Sequence, residues 1–229
     1  MIGIFDSGVG GLVSMREVRR LLPRENIFYL ADRRNAPYGT KTKEELKELV
    51  LKNLSTLCDM GARSVLVACC TASTVLPSLP EEFKSIAYSI IPKSAEIAAG
   101  LGSRITVIAT DYTVSTHTFR EEIRAYNPSA TVTEIAAQGL VPLVEGGARD
   151  GELSEENRSF TDSLAEKIKE SSPDVLVLGC THFSYLEGEL KSRLGNVHIV
   201  TPAIIGANDF VNEYRSANLP SGRGRTVYL

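Results

Sequence analysis

Short apolar runs alternate with longer amphipathic stretches along the chain. Runs at residues 2–5, 27–30, 65–68, 87–91, 105–109, 131–136, 175–178 and 197–200 are rich in β-branched side chains and bounded by polar or turn residues. Continuous apolar runs of this length predict strands buried on both faces of a parallel sheet. Between them, residues 12–22, 42–60, 113–126, 154–171 and 203–214 carry apolar positions at helical spacing. Pro23 stops the first of these helices. Thr42 with Glu45 three residues later forms a capping box for the second, and Gly61 serves as its C-cap. Ser154 is the N-cap of the fourth. A polar stretch from Ser216 leads to a short last strand at 226–229. Strands alternating with helices in this way predict an α/β fold built on parallel sheets.

One stretch occurs twice. Residues 65–72 read Val-Leu-Val-Ala-Cys-Cys-Thr-Ala, and residues 175–182 read Val-Leu-Val-Leu-Gly-Cys-Thr-His. Each is a buried-strand pattern that ends on cysteine followed by threonine. Ligands of open parallel sheets sit beyond the carboxyl ends of the strands, so each half of the chain offers a thiol at its active edge. The expected architecture is two similar lobes, each a mostly parallel sheet flanked by helices, with the active site in the cleft between them. The first lobe is residues 1–92, completed by 204–229. The second is 93–203, and the seam lies near 92–102.

Composition narrows the class. The 229 residues are 43% hydrophobic and 23% charged, ordinary for a globular protein. The net charge is -3, with Lys and Arg scattered and no basic stripe interleaved with aromatics, which argues against nucleic acid as the partner. No apolar run has the length of a membrane span, and the start Met-Ile-Gly-Ile-Phe-Asp lacks the basic region of a secretory signal. The expected compartment is the cytoplasm, where Cys58, Cys69, Cys70 and Cys180 stay reduced. Cys58 lies on the second helix as a packing residue. Four cysteines without paired spacing, and three histidines (117, 182 and 198), form no zinc pattern.

Two thiols facing across a cleft permit three kinds of chemistry: a redox disulfide, a metal site, or an acid and a base on opposite faces of one carbon. The third needs one thiolate and one thiol. Cysteine suits it because its ordinary pKa of about 8.5 is readily tuned by nearby charge. His182, two residues after Cys180, and Asp6, at the end of the first strand, are candidates to tune one thiol each. A Cys-His pair is also the start of an acyl-transfer nucleophile, but that role leaves Cys69 without a task. The turn Asp6-Ser7-Gly8-Val9-Gly10-Gly11 lacks the Gly-Lys-Ser/Thr ending of a phosphate loop. Its Asp and Ser suit a ligand bearing an ammonium and a carboxylate, and also suit helix capping.

Five blocks, in order and spanning nearly the whole chain, resemble the glutamate racemases of the aspartate/glutamate racemase superfamily. They are Ile2-Gly-Ile-Phe-Asp-Ser-Gly-Val-Gly-Gly11, Ala31-Asp-Arg-Arg-Asn-Ala-Pro-Tyr-Gly39, Val67-Ala-Cys-Cys-Thr-Ala-Ser73, Val141-Pro-Leu-Val-Glu145 and Leu178-Gly-Cys-Thr-His182. The resemblance implies a cofactor-independent isomerase that interconverts L- and D-glutamate and supplies D-glutamate for peptidoglycan, hence for the cell wall and cell shape. It implies Cys69 and Cys180 as the two bases, assisted by Asp6 and His182. It implies Asp6, Ser7, Pro37, Tyr38, Gly39, Cys70, Thr71, Thr113 and Thr181 around the amino acid, with carboxylates held by hydroxyls and backbone amides rather than arginine. A homodimer is the candidate assembly, and neither nucleic acid nor membrane is an expected partner. The internal echo pairs Cys70 with Cys180, whereas the family pattern selects Cys69.

Three places along the chain depart from the family pattern. Cys70 stands where the family usually has Asn, Ala137-Gln138 where Cys-Pro is common, and Thr201-Pro-Ala203 where an Ile-Asp-Ser-like segment is usual. Two alternatives stay open: a racemase for aspartate or of relaxed specificity, and a racemase-like binding protein with impaired turnover. A thiol hydrolase or redox protein is a more distant reading.

Overall fold

A computed structural model gives the structure of residues 1–216 and 222–229. Among the described residues nine strands form two parallel sheets: β1 (Ile2–Asp6), β2 (Ile27–Ala31), β3 (Ser64–Val67), β4 (Ala87–Ser89), β5 (Arg104–Ala109), β6 (Thr131–Ala136), β7 (Val175–Gly179), β8 (His198–Val200) and β9 (Thr226–Tyr228). The first sheet runs β4-β3-β1-β2-β9 and the second β8-β7-β5-β6, every pairing parallel. The first four strands of each half therefore occur in the same spatial order. In both halves the chain steps from the first strand to the second on one side, then crosses to the other side for the third. Such a reversal opens a crevice at the carboxyl ends of the strands, here between β1 and β3 and between β5 and β7.

β1 and β7 are buried along their whole length, as their unbroken apolar runs require. The helix Lys43–Asp59 starts at the expected capping box: the Thr42 side chain accepts from the Glu45 amide, and Glu45 reaches back to the Thr42 backbone. Met60 is its C-cap, and Gly61 comes next with φ +93°, a left-handed conformation that glycine adopts without strain. Ser154 caps the helix Glu155–Glu170 as expected. The helical stretch after β5 is broken in two, Asp111–Thr116 and Thr118–Tyr126, by the left-handed His117. The last helix is Pro202–Ser216. The polar stretch expected after it falls partly on residues 217–221, outside the described residues.

The stretch 92–102, where the seam is expected, falls on the helix Ile91–Leu101. Pro92 sits in its first turn, where the missing amide costs nothing, and the Ser89 hydroxyl accepts from the Ile91 amide at 3.2 Å. This helix and Pro202–Ser216 lie between the sheets. One continuous core holds Ile2, Ile4 and Leu66 of the first sheet, Ile105, Val107 and Val177 of the second, and Phe210 and Val211 of the last helix. Ser14, on the helix Leu12–Leu21, donates to the Ala203 carbonyl at 2.7 Å. The two lobes are thus joined by shared apolar packing as well as by the chain. Among the described residues no helix is long and apolar enough to cross a membrane.

Gly206 is where the last helix passes closest to the chain at Ile90; a Cβ there would lie 2.7 Å from Ile90 Cα. Gly206→Val is expected to destabilise the protein by about 1–3 kcal/mol through overpacking. Gly100→Ala, in a helix with open space around it, is expected to stabilise by about 0.5–1 kcal/mol. Urea denaturation of the two variants checks both.

Candidate active site

The carboxyl edges of the two sheets face each other across a cavity of about 490 Å³. Ser7, the loop from Ala36 to Thr40, Cys69 and Thr71 line it from the first lobe. Thr110, Gln138, Glu145, Cys180, Thr181 and His182 line it from the second, and Arg33 stands beside it. Cys69 lies two residues beyond β3 and Cys180 immediately beyond β7, so each thiol sits at the crevice of its own sheet.

The two thiols are held differently. Cys69 is the N-cap of the short helix Cys70–Ser73, and its sulfur accepts from the Ala72 amide at 3.4 Å. The Ser7 hydroxyl is 3.6 Å away. Burial pushes the Cys69 thiol up to about 12, the Asp6 charge adds to this, and the Ala72 and Ser7 contacts oppose it. Cys180 leaves its strand in extended conformation and caps nothing. Its sulfur is 3.7 Å from Nδ1 of His182, whose Nε2 meets Glu145 Oε1 at 2.7 Å. Burial alone disfavours an imidazolium at His182. The hydrogen bonds with Cys180 and Glu145 and the charges of Cys180 and Asp6 outweigh it and raise His182 to about 10. Glu145 is held down at about 2, against its partial burial, by His182, the Val9 amide and Arg33. The Val9 amide donates to Glu145 Oε1 at 3.1 Å. Cys180, His182 and Glu145 form a chain of proton-bearing groups that leads from the cavity wall to its rim.

The glycine-rich turn makes this chain possible through close approach. A Cβ on Gly10 would lie 2.8 Å from the His182 backbone nitrogen, and one on Gly8 would collide with Glu145 Oε1. Asp6, at the base of the turn, is fully buried. It accepts from the Gly8 amide at 2.9 Å and the Thr181 hydroxyl at 3.2 Å. Burial raises Asp6, while the His182 charge and these hydrogen bonds hold it back.

Two polar networks shape the rest of the wall. The hydroxyls of Thr71, Thr110 and Thr113 pair with one another at 2.9, 3.1 and 2.8 Å, joining the two lobes. Asp32 accepts from Tyr38 Oη at 2.6 Å, Asn53 Nδ2 at 3.1 Å and Asn35 Nδ2 at 2.8 Å. That network fixes the loop that presents Pro37, Tyr38 and Gly39 to the cavity.

The structure brings Ser7, Pro37, Tyr38, Gly39, Cys69, Thr71, Cys180, Thr181 and His182 to the wall of one cavity. Asp6, Cys70 and Thr113 lie behind that wall, fully buried. Cys70 faces the core shared with Ala68 and Ile90, and burial drives its thiol well above the ordinary range. Among the described residues no group of three or more His, Cys, Asp or Glu side chains is arranged to hold a metal ion.

The family model described as Asp/Glu/Hydantoin racemase matches residues 14–209. The chain belongs to the Asp/Glu/Hydantoin racemase family. Its relatives include the glutamate racemase of Gloeobacter violaceus, 39% identical over 99% of this chain and 83% of that protein. Similar solved structures include a glutamate racemase from Bacillus anthracis, with a TM-score of 0.90 and 27% identity over 100% of this chain and 86% of that one. The glutamate racemase from Thermus thermophilus in complex with β-chloro-D-alanine has a TM-score of 0.83 and 31% identity over 99% and 86% of the two chains.

In this racemase-family chain, the wall also contains Thr110, Gln138, Glu145 and Arg33, which the spacing of the sequence did not single out. Thr110 ends an apolar run as the cysteines do, and that shared position was its one signal. Glu145 closes a short apolar segment 35 residues before Cys180, so only the fold brings it to His182. Arg33 is 4.0 Å from Glu145 Oε2 and mostly exposed, so the rim carries an arginine that the resemblance did not imply.

His182 titrates higher in the folded protein, near 10, than its ordinary 6.5. Its contribution to stability is therefore complete below about pH 6.5 and is lost as pH rises through about 10. Glu145→Gln removes a carboxylate that holds the imidazolium. The loss still begins near pH 6.5 but is expected to be smaller and to be complete at lower pH than in the unaltered protein, as read by urea midpoints across a pH series.

Proposed function

We propose that this protein interconverts L- and D-glutamate, using Cys69 and Cys180 as base and acid on opposite faces of the α-carbon. The observation that carries this reading is the pair of thiols, one from each lobe, on facing sides of one cavity at matching crevices. As a thiolate, one sulfur takes the α-proton. The electron pair left behind spreads into the α-carboxylate, and the other sulfur returns a proton from the opposite side. The chain supplies both proton carriers, so the reading calls on no cofactor. The hydroxyls of Ser7 and Thr71 at the wall serve as donors to the substrate's carboxylates. His182 takes or returns the proton of Cys180, and Glu145 holds the imidazolium in place. Asp6 acts from behind the wall through Thr181 and through its charge near Cys69. D-Glutamate made this way feeds peptidoglycan synthesis in the cytoplasm, and a homodimer is the assembly that goes with this reading.

The test is incubation with L-glutamate, and separately L-aspartate, in deuterium oxide, following α-deuterium and optical rotation. Exchange and loss of rotation with glutamate are expected; exchange with aspartate alone overturns the substrate assignment. Cys69→Ser and Cys180→Ser are each expected to lower racemisation by at least about a hundredfold, the worth of a positioned acid or base. Cys70→Ser, behind the wall, is expected to leave the rate within about threefold by the same comparison. Loss of activity in Cys70→Ser with retention in Cys69→Ser overturns the choice of base.

A further inference from the structure

Gln138 is a second polar group of the cavity wall. Its Oε1 is buried, and among the described residues it has no hydrogen-bond donor. That oxygen is wedged where the lobes meet: a Cβ on Gly39 would collide with it and would lie 2.6 Å from Thr110 Cβ. Gln138 lines the cavity, and the other end of its amide, the NH2, is a donor of two hydrogen bonds.

The sheet order says which part of a ligand it meets. Cys180 follows β7, Thr110 follows β5 and Gln138 lies two residues beyond β6, in the order β7-β5-β6. Neighbouring strands are about 4.8 Å apart, so the strand carrying Gln138 is roughly 10 Å from that of Cys180. The reacting carbon must sit within about 3.5 Å of a catalytic sulfur. A glutamate side chain extends its far carboxylate roughly 4–5 Å beyond that carbon, towards the reach of the Gln138 amide. Aspartate, one methylene shorter, falls short of it.

We propose that Gln138 recognises the side-chain carboxylate of a five-carbon dicarboxylic amino acid by donating from its amide NH2, and so sets the chain length of the substrate. This rests on the racemase reading given above and names a binding residue for it. A neutral donor on a carboxylate gives length selection without a fixed positive charge at the far end of the cavity.

The experiment compares the unaltered protein with Gln138→Leu and Gln138→Glu, each shown to be folded by its circular dichroism melting curve. KM and kcat are measured for glutamate and for aspartate. Gln138→Leu is expected to raise KM for glutamate roughly tenfold or more, the loss of a hydrogen bond to a charged group. Its kcat is expected to stay within about threefold, the signature of lost binding rather than lost chemistry. Gln138→Glu is expected to raise KM further through charge repulsion. The glutamate-to-aspartate ratio of kcat/KM is expected to fall in both variants. KM values within about twofold of the unaltered protein in both variants, while that protein racemises glutamate, overturn this proposal alone. Failure of the unaltered protein to act on glutamate overturns the racemase reading as well.

Discussion

The cavity depends on the carboxyl ends of two parallel strands, β3 and β7, being held opposite one another. Each strand belongs to a sheet whose chain path reverses beside it, and each reversal opens a crevice at that end. Apolar packing fixes one crevice against the other. The helices Ile91–Leu101 and Pro202–Ser216 bury their inner faces in a core that also holds residues of both sheets. Interiors packed at this density transmit displacement rather than absorbing it. A change at Ile90 or Gly206, outside the cavity lining, is therefore expected to be felt in the spacing of the thiols.

Equivalent strand positions did not produce equivalent thiols. Cys69 caps a short helix, and its own burial, with the Asp6 charge behind it, keeps its proton on. Cys180 has a histidine for a neighbour, and that histidine is locked to Glu145. The difference comes from the segment after each strand: one turn of α-helix after β3, and a six-residue 3-10 segment after β7 that folds His182 back towards the sulfur. The glycine-rich turn completes the arrangement by pressing on His182 and Glu145, which side chains at Gly8 and Gly10 would prevent.

The parallel strands, the capping box at Thr42 and Glu45, and the two strand-end thiols were legible in the sequence because each depends on residues close together in the chain. The helix at Ile91–Leu101 was not. Its proline sits in a position that reads as a stop but serves as a start, and its many small residues lack a clear amphipathic period. Glu145, Thr110 and Gln138 became site residues only through the folding of β5, β6 and β7 into one sheet. Cys70 shows the opposite case. The internal echo aligned it with Cys180, but one residue along the chain turns a side chain away from the cavity and into the core.

The paired hydroxyls of Thr71, Thr110 and Thr113 bear on a demand peculiar to a catalyst whose substrate and product are mirror images. A hydroxyl both gives and receives a hydrogen bond, and its proton swings about the C–O bond. A closed ring of three can run its donors clockwise or anticlockwise with every heavy atom in place. In the proposed reaction an anion at Thr71 opens the ring: the Thr71 proton swings out to it while Thr110 and Thr113 keep their own hydrogen bond. One rotatable hydroxyl can then serve a carboxylate presented by either enantiomer with every heavy atom in place.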